Sequence, residues 1–204
     1  MAFMSDTFNY YNNNSKSYFE TTKDIIISDQ IDRFLAYLAD EAGLIADLGC
    51  GSGNSLKYII EKGYKVVGVD YSDELIGLAK NYTGAEIMNL NIEDAAAVNT
   101  FIVDMNINHL FASASLLHMS KASFINFLNK IEFSGVFFFS LKEGEGEVVD
   151  PAGRFFAYYT RGEVQQLLNK RFIVLDFIKN EDKLGRGNNW ISFIVRLSGG
   201  GRLQ

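Results

Sequence analysis

The chain reads as an α/β protein with a doubly wound, mostly parallel seven-stranded sheet that ends in an antiparallel edge strand. Three observations predict this. Strand-like apolar runs alternate with segments of helical spacing five times between residues 44 and 169, the pattern of strands joined by crossover helices. The run at 135–141 is apolar at every position from Val136 to Phe139, as an interior strand buried on both faces would be. Two further strand-like runs, 172–178 and 190–197, are separated only by a polar turn at 180–189, so the last pairs antiparallel. With 204 residues, 48% of them apolar, the chain has enough material for one domain with a sizeable core.

Taken in order, residues 7–19 are rich in Asn, Ser and Tyr and are expected to form a loop and one short helix. Together with the rest of 1–28 they make an N-terminal arm or lid on a domain spanning 29–197. Ile31, Phe34, Leu35, Leu38 and Ala39 form a helical stripe over 29–42, and Gly43 is placed to cap it. A strand at 44–48, a helix from Asn54 and a second strand at 66–70 follow. Ser72 is an N-cap for a helix over 73–81. Strands are expected at 86–90 and 109–114, and a helix at 121–130 with Phe124, Ile125, Phe127 and Leu128 on its apolar face. After the fifth strand comes a loop rich in glycine and acid, residues 143–153, which holds the only proline, Pro151. Thr160 and Glu163 form a capping box at the head of a helix over 160–169. Residues 198–204, Ser-Gly-Gly-Gly-Arg-Leu-Gln, read as a flexible tail.

The chemistry concentrates at Asp47-Leu48-Gly49-Cys50-Gly51-Ser52-Gly53 and at Asp70, which ends the second strand. Glycines let a backbone approach a ligand closely, and the helix that follows offers unpaired N–H groups. An acid at the tip of the second strand can accept hydrogen bonds from ribose hydroxyls. A loop that holds a dinucleotide pyrophosphate reads G-x-G-x-x-G. Here the spacing is G-x-G-x-G with Asp47 just ahead, an acid that would repel a diphosphate and suits an ammonium group.

This segment resembles motif I of the class I S-adenosylmethionine-dependent methyltransferases, and the looser resemblance extends over roughly residues 10–197. It implies a Rossmann-like fold, S-adenosylmethionine as cofactor, and a set of site residues. Asp47, Gly49, Cys50, Gly51 and Asn54 would cradle the methionine part. Asp70 would hold the ribose and Tyr71 would pack on the adenine. Asn91, beside Ile92, stands where the family commonly has an acid that receives the adenine amino group; Glu93 or Asp94 could substitute. Ser113 matches a small residue beside the methionine, and Tyr18 matches a tyrosine over its end, with Tyr10 and Tyr11 nearby. On the acceptor side the resemblance points to His118 and to the segment 142–159, with Lys142, Glu143, Arg154, Tyr158 and Tyr159; His118, Lys142 and Tyr158 are the candidates for a catalytic role.

Composition narrows the partners. A formal net charge of −6 disfavours nucleic acid, whose phosphates call for clustered Lys and Arg, and leaves a small-molecule acceptor as the expected partner. No membrane-spanning stretch or signal peptide is visible, and a single cysteine, Cys50, fits the reducing cytoplasm. There is no cluster with zinc spacing, so no metal is expected, and the oligomeric state is left open. Two rival readings stay open: a nicotinamide-dependent oxidoreductase, which the glycine spacing and Asp47 disfavour, and a catalytically silent module that binds S-adenosylmethionine.

Overall fold

The computed structural model describes residues 2–38, 43–181 and 187–199. Five parallel strands carry the centre of the sheet: β1 (Leu44–Leu48), β2 (Val66–Asp70), β3 (Ile87–Asn89), β4 (Ile107–Ala112) and β5 (Phe137–Glu143). Their spatial order is β3-β2-β1-β4-β5. The chain therefore winds outward from β1 in one direction and then crosses back to β4. The split between β1 and β4 is the switch point at which open α/β sheets bind ligands.

Each face of the sheet is covered by helices. On one side α6 (Ala95–Asp104), α7 (Lys121–Lys130) and α8 (Arg161–Leu168) bury Phe101, Phe124, Phe127 and Leu168 against Leu110, Phe137, Phe139 and Phe193. On the other, α3 (Ser28–Leu35) and α4 (Asn54–Glu61) bury Ile31, Phe34 and Ile59 against Ile45, Phe111, Phe138 and Ile194. The continuous run Phe137-Phe138-Phe139 serves both faces because successive side chains of a strand point in opposite directions. Phe111 and Phe138 stack across the β4–β5 pair with centroids 4.5 Å apart. The local signals hold: Ser72 caps α5 (Asp73–Thr83) by accepting from the Leu75 N–H, and Thr160 and Glu163 close both halves of the capping box at α8.

The sheet departs from seven strands. Among the described residues it has nine, because the segment expected as a loop after β5 contains a hairpin, β6 (Glu147–Val149) and β7 (Phe155–Tyr159). Gly146 and Gly153 take positive φ at its turns, and Asp150 accepts from the N–H groups of Ala152 and Arg154 between the strands. The aromatic run of β7 carries the strand propensity that the surrounding turn residues mask. β7 pairs parallel with only the last two residues of β5, Lys142 with Tyr158 and Glu143 with Tyr159, beyond the point where β4 has ended. The hairpin thus stands at the crevice end of the sheet. β8 (Phe172–Glu181) and β9 (Asn189–Leu197) close the opposite edge, with β9 antiparallel to both β5 and β8, as expected.

The amino-terminal segment also differs from expectation. It forms two helices, α1 (Ala2–Asn13) and α2 (Ser15–Thr22), in place of a loop and one short helix. Helix α3 ends at Leu35, earlier than the stripe suggested; Ala39 and the rest of 39–42 lie outside the described residues. Gly43 is not a left-handed cap, since its φ is not positive. It is needed because a Cβ there would lie 1.8 Å from Asn108 Oδ1. No helix among the described residues is long and apolar enough to cross a membrane.

Candidate active site

The glycine loop follows directly from β1. Gly49, Gly51 and Gly53 all have positive φ, between 54° and 77°, which L-residues adopt only at a penalty. The loop is tied to the neighbouring strand by Gly49 and Cys50 N–H bonds to the Val69 carbonyl. A Cβ on Gly49 would come within 2.4 Å of Ser115 Cβ, so close packing dictates that glycine. A Cβ on Gly51 would instead project toward the Tyr18 ring at 3.5 Å, into the space a ligand would use.

Two cavities flank this loop. One, of about 150 Å³, runs from Asp47, Gly49 and Gly51 past Ser113 and Ala114 to Ser140, Asn180 and Trp190. The other, of about 130 Å³, runs from Gly49 and Gly51 to Asp70, Tyr71, Asn91 and Ile92. Both are lined by Tyr18, Gly49, Gly51 and Ala114, so they form two arms of one crevice around the loop. Ala114 holds a positive φ of 54° at the end of β4, and its N–H donates to Ser140 Oγ at 2.8 Å.

The two acids behave differently. Asp70 is held by three backbone donors: Gly51 N–H on Oδ2 at 2.8 Å, and Tyr71 and Ser72 N–H on Oδ1 at 2.8 and 3.0 Å. Burial raises its pKa, and these bonds oppose the rise. A carboxylate has about four lone-pair sites, so Asp70 braces the loop with three and keeps one for a ligand. Asp47 is fully buried, and its Oδ2 has no hydrogen-bond partner among the described residues. Burial, then the Asp70 charge, pushes its carboxyl up to about 8. An orphaned acceptor of this kind fits a cationic ligand group at the same spot.

Other expected residues divide by what their side chains do. Tyr71 is 46% exposed at the rim, with its ring 4.8 Å from that of Phe8 in α1. Asn91 lines the second cavity, and its Oδ1 accepts from the Glu93 N–H. Asp94 caps α6 and lines neither cavity, and nor does Glu93. Cys50 contributes backbone only: its thiol packs in the core with Leu56 and Ile87, and burial pushes it well up. Asn54 lines the first cavity, but its amide N–H2 is taken by the Thr22 and Ile25 carbonyls, which anchors the end of the arm on the loop.

His118 sits in the short 3-10 turn Leu116–His118 after β4 and lines the second cavity. Its Nδ1 lies 2.7 Å from the Phe155 carbonyl, which can only accept, so Nδ1 carries the proton. Nε2 then accepts from the Tyr11 hydroxyl at 2.9 Å. Burial lowers the imidazole pKa to about 4 and keeps the ring neutral. Lys142 and Tyr158 line neither cavity. They are a register pair in β5 and β7, with Lys142 Nζ 3.8 Å above the Phe156 ring. Glu143 pairs with Lys179, and Arg154 pairs with Asp150 and lies over the Tyr10 ring at 4.6 Å. Tyr159 is buried against Phe124.

Several lining residues carried no motif: Thr7 and Phe8 on α1, Gln30 on α3, Ser140 on β5, and Asn180 and Trp190 on β8 and β9. The one available signal was Ser140, the first polar residue after the apolar run Val136 to Phe139.

Comparison with known proteins agrees with the motif. Residues 45–132 match a family described as "Methyltransferase domain". Three uncharacterized methyltransferases of Schizosaccharomyces pombe are each 30% identical over 99 residues, covering 41% of this chain and 68% of theirs. Two solved structures share the fold. A SAM-dependent methyltransferase from Anabaena variabilis has a TM-score of 0.75 at 12% identity, over 95% of this chain and 94% of that one. The 1,6-didemethyltoxoflavin-N1-methyltransferase of Burkholderia thailandensis has a TM-score of 0.70 at 18% identity, over 96% and 88%. The chain belongs to the class I S-adenosylmethionine-dependent methyltransferases. It is an enzyme of that class, and its cofactor is S-adenosylmethionine.

Proposed function

We propose that the enzyme methylates a small-molecule acceptor held in the cavity beside the glycine loop, under a lid formed by residues 1–28. The observation that carries this reading is the forked crevice: two cavities of comparable size meet at Tyr18, Gly49, Gly51 and Ala114. One arm would take the adenosine and the other the methionine end with the acceptor beyond it.

S-adenosylmethionine, when bound, supplies a methyl group already activated by a positive sulfur. The chain's part is to hold, orient and exclude water. Asp70 accepts from the ribose with its remaining lone pair. Tyr71 and Ile92 bracket the adenine, and Asn91 offers an uncharged partner at its edge. Asp47 receives the ammonium of the methionine part on the oxygen that the protein leaves unpaired. Helix α1 covers the adenosine arm with Phe8 and Tyr11, and Tyr18 stands where the arms meet. His118, Lys142 and Tyr158 are read as positioning groups: the first fastens the arm through Tyr11, and the other two build the hairpin wall. The Burkholderia relative acts on a small molecule by its name, which supports the same class of acceptor here.

The test is a screen with methyl-labelled S-adenosylmethionine against a deproteinised metabolite extract and, separately, total RNA. Label is expected to enter a low-molecular-weight product. Label entering RNA alone would overturn the small-molecule reading.

A further inference from the structure

Three neighbouring strands change character together as they reach the crevice. On the face toward α3, β5 presents Phe138 and then Ser140. β9, read toward its start, presents Ile194, Ser192 and Trp190, and β8 presents Ile178 and then Asn180. The register ties these into rows: Phe138 pairs with Ile194, Ser140 and Ile178 with Ser192, and Asn180 with Trp190. Phe138, Ile194 and Ile178 belong to the apolar core under α3. One step on, the same face turns polar and becomes the floor of the first cavity. Strands stand about 4.8 Å apart, so from β1 to β8, across β4, β5 and β9, this arm extends on the order of 19 Å. That carries it well past the span of the methionine chain of a cofactor seated at β1.

The polar groups on this floor have matching vacancies. Asn180 Oδ1 is buried and has no hydrogen-bond partner among the described residues. Ser140 Oγ accepts from the Ala114 N–H, which leaves its own proton to donate. Gln30 is buried and is held at Oε1 by the Ser192 hydroxyl at 2.9 Å, which leaves its amide hydrogens for the cavity. Trp190 supplies a flat apolar wall.

We propose that this branch is the acceptor pocket and that it selects a planar, uncharged molecule with a hydrogen-bond donor and acceptor on one edge, an amide or nitrogen heterocycle. This rests on the methyltransferase reading above. The ring lies against Trp190, its N–H is accepted by Asn180 Oδ1, and its acceptor atom receives from Ser140 and Gln30. A hydrocarbon of the same shape leaves the buried Asn180 oxygen unpaired. A carboxylate is repelled by that oxygen.

Trp190 is the only tryptophan in the chain, so its emission reports on this pocket directly. The test titrates benzamide, benzoate and toluene into protein saturated with S-adenosylhomocysteine. Benzamide is expected to change Trp190 emission saturably and to bind at least tenfold tighter than the other two. Asn180→Leu should erase that preference while leaving S-adenosylhomocysteine affinity, by calorimetry, unchanged. Asn180→Asp, which keeps the shape, should shift the preference to benzamidinium. Benzoate or toluene binding as well as benzamide, or preferences unmoved by both variants, overturns the proposal. So does competition between benzamide and S-adenosylhomocysteine, which would make the branch part of the cofactor site. Failure of S-adenosylhomocysteine to bind would strike the cofactor reading instead, while the benzamide preference can still be read on the free protein.

Discussion

The buried, unpartnered carboxyl of Asp47 makes the ligand-free protein sensitive to pH in a direction that can be worked out. An acid ordinarily titrates near 3.8, and in the fold this one is pushed to about 8 by burial and by the Asp70 charge. Between those values the folded chain keeps a proton that the unfolded chain has released, so stability falls as pH rises from about 4 to about 8 and levels off above. At about 1.36 kcal/mol per pH unit, this group removes on the order of 5 kcal/mol by pH 8, a large share of the roughly 5–15 kcal/mol that holds a domain together. Asp47→Asn takes the charge away and should flatten the slope. Urea denaturation from pH 5 to 9 is the assay: the variant should match the wild type at the acid end and exceed it by several kcal/mol at pH 8. Ligand binding carries the opposite sign. An ammonium beside Asp47 favours the ionised form, so wild-type affinity for S-adenosylhomocysteine should rise with pH, by up to tenfold per unit between pH 6 and 8, and the variant should lose both the affinity and its slope. Parallel stability curves for the two proteins, or equal affinities, would refute the reasoning.

Asp70→Asn keeps the side-chain shape but sets an N–H2 against backbone donors, so the loop loses a brace and the ribose its acceptor; calorimetry should show S-adenosylhomocysteine weakened by about 1.5–3 kcal/mol, and an unchanged value would move the ribose elsewhere. Gly49→Ala drives a Cβ into Ser115 and should lower the melting temperature sharply, whereas Gly51→Ala, whose Cβ meets Tyr18 at an ordinary distance, should abolish ligand binding with a stability loss of only about 1–2 kcal/mol. Tyr11→Phe leaves His118 Nε2 buried and unpaired, costing about 1–3 kcal/mol, and hydrogen exchange should show faster opening of α1. Because the His118 pKa is lowered from 6.5 to about 4, the unfolded chain binds the extra proton. This group's contribution is full above pH 6.5 and is lost as pH falls toward 4; His118→Gln should remove that acid-side slope in the same denaturation series.

The parts of the site legible in the sequence are those whose geometry is local. Gly49, Gly51 and Asp70 were readable because a strand, a tight loop and a helix start follow within one chain segment, and that arrangement restricts the residue types directly. Thr160 and Glu163 were readable for the same reason, since a capping box spans four residues. The hairpin was missed because β6 has only three residues, too few to show a period, and lies between turn glycines. Side-chain direction was also out of reach: nothing in the order of residues shows that Cys50 turns into the core or that Asn54 spends its amide on the arm.

The far arm of the crevice was illegible because it is assembled across long separations. Gln30 meets Ser192 over 162 positions, and Phe155 donates to Thr7 over 148. This second contact bears on what the hairpin is for. The Phe155 N–H donates to Thr7 on α1, and its carbonyl accepts from His118, which in turn accepts from Tyr11 on the same helix. One backbone unit of β7 is thus fastened to α1 both directly and through a neutral imidazole. A histidine held at both nitrogens and kept uncharged by burial is suited to bracing and poorly suited to taking a proton. The inserted hairpin therefore gives the amino-terminal helix a fixed seat at the crevice end of the sheet, where the five parallel strands alone would offer only loops.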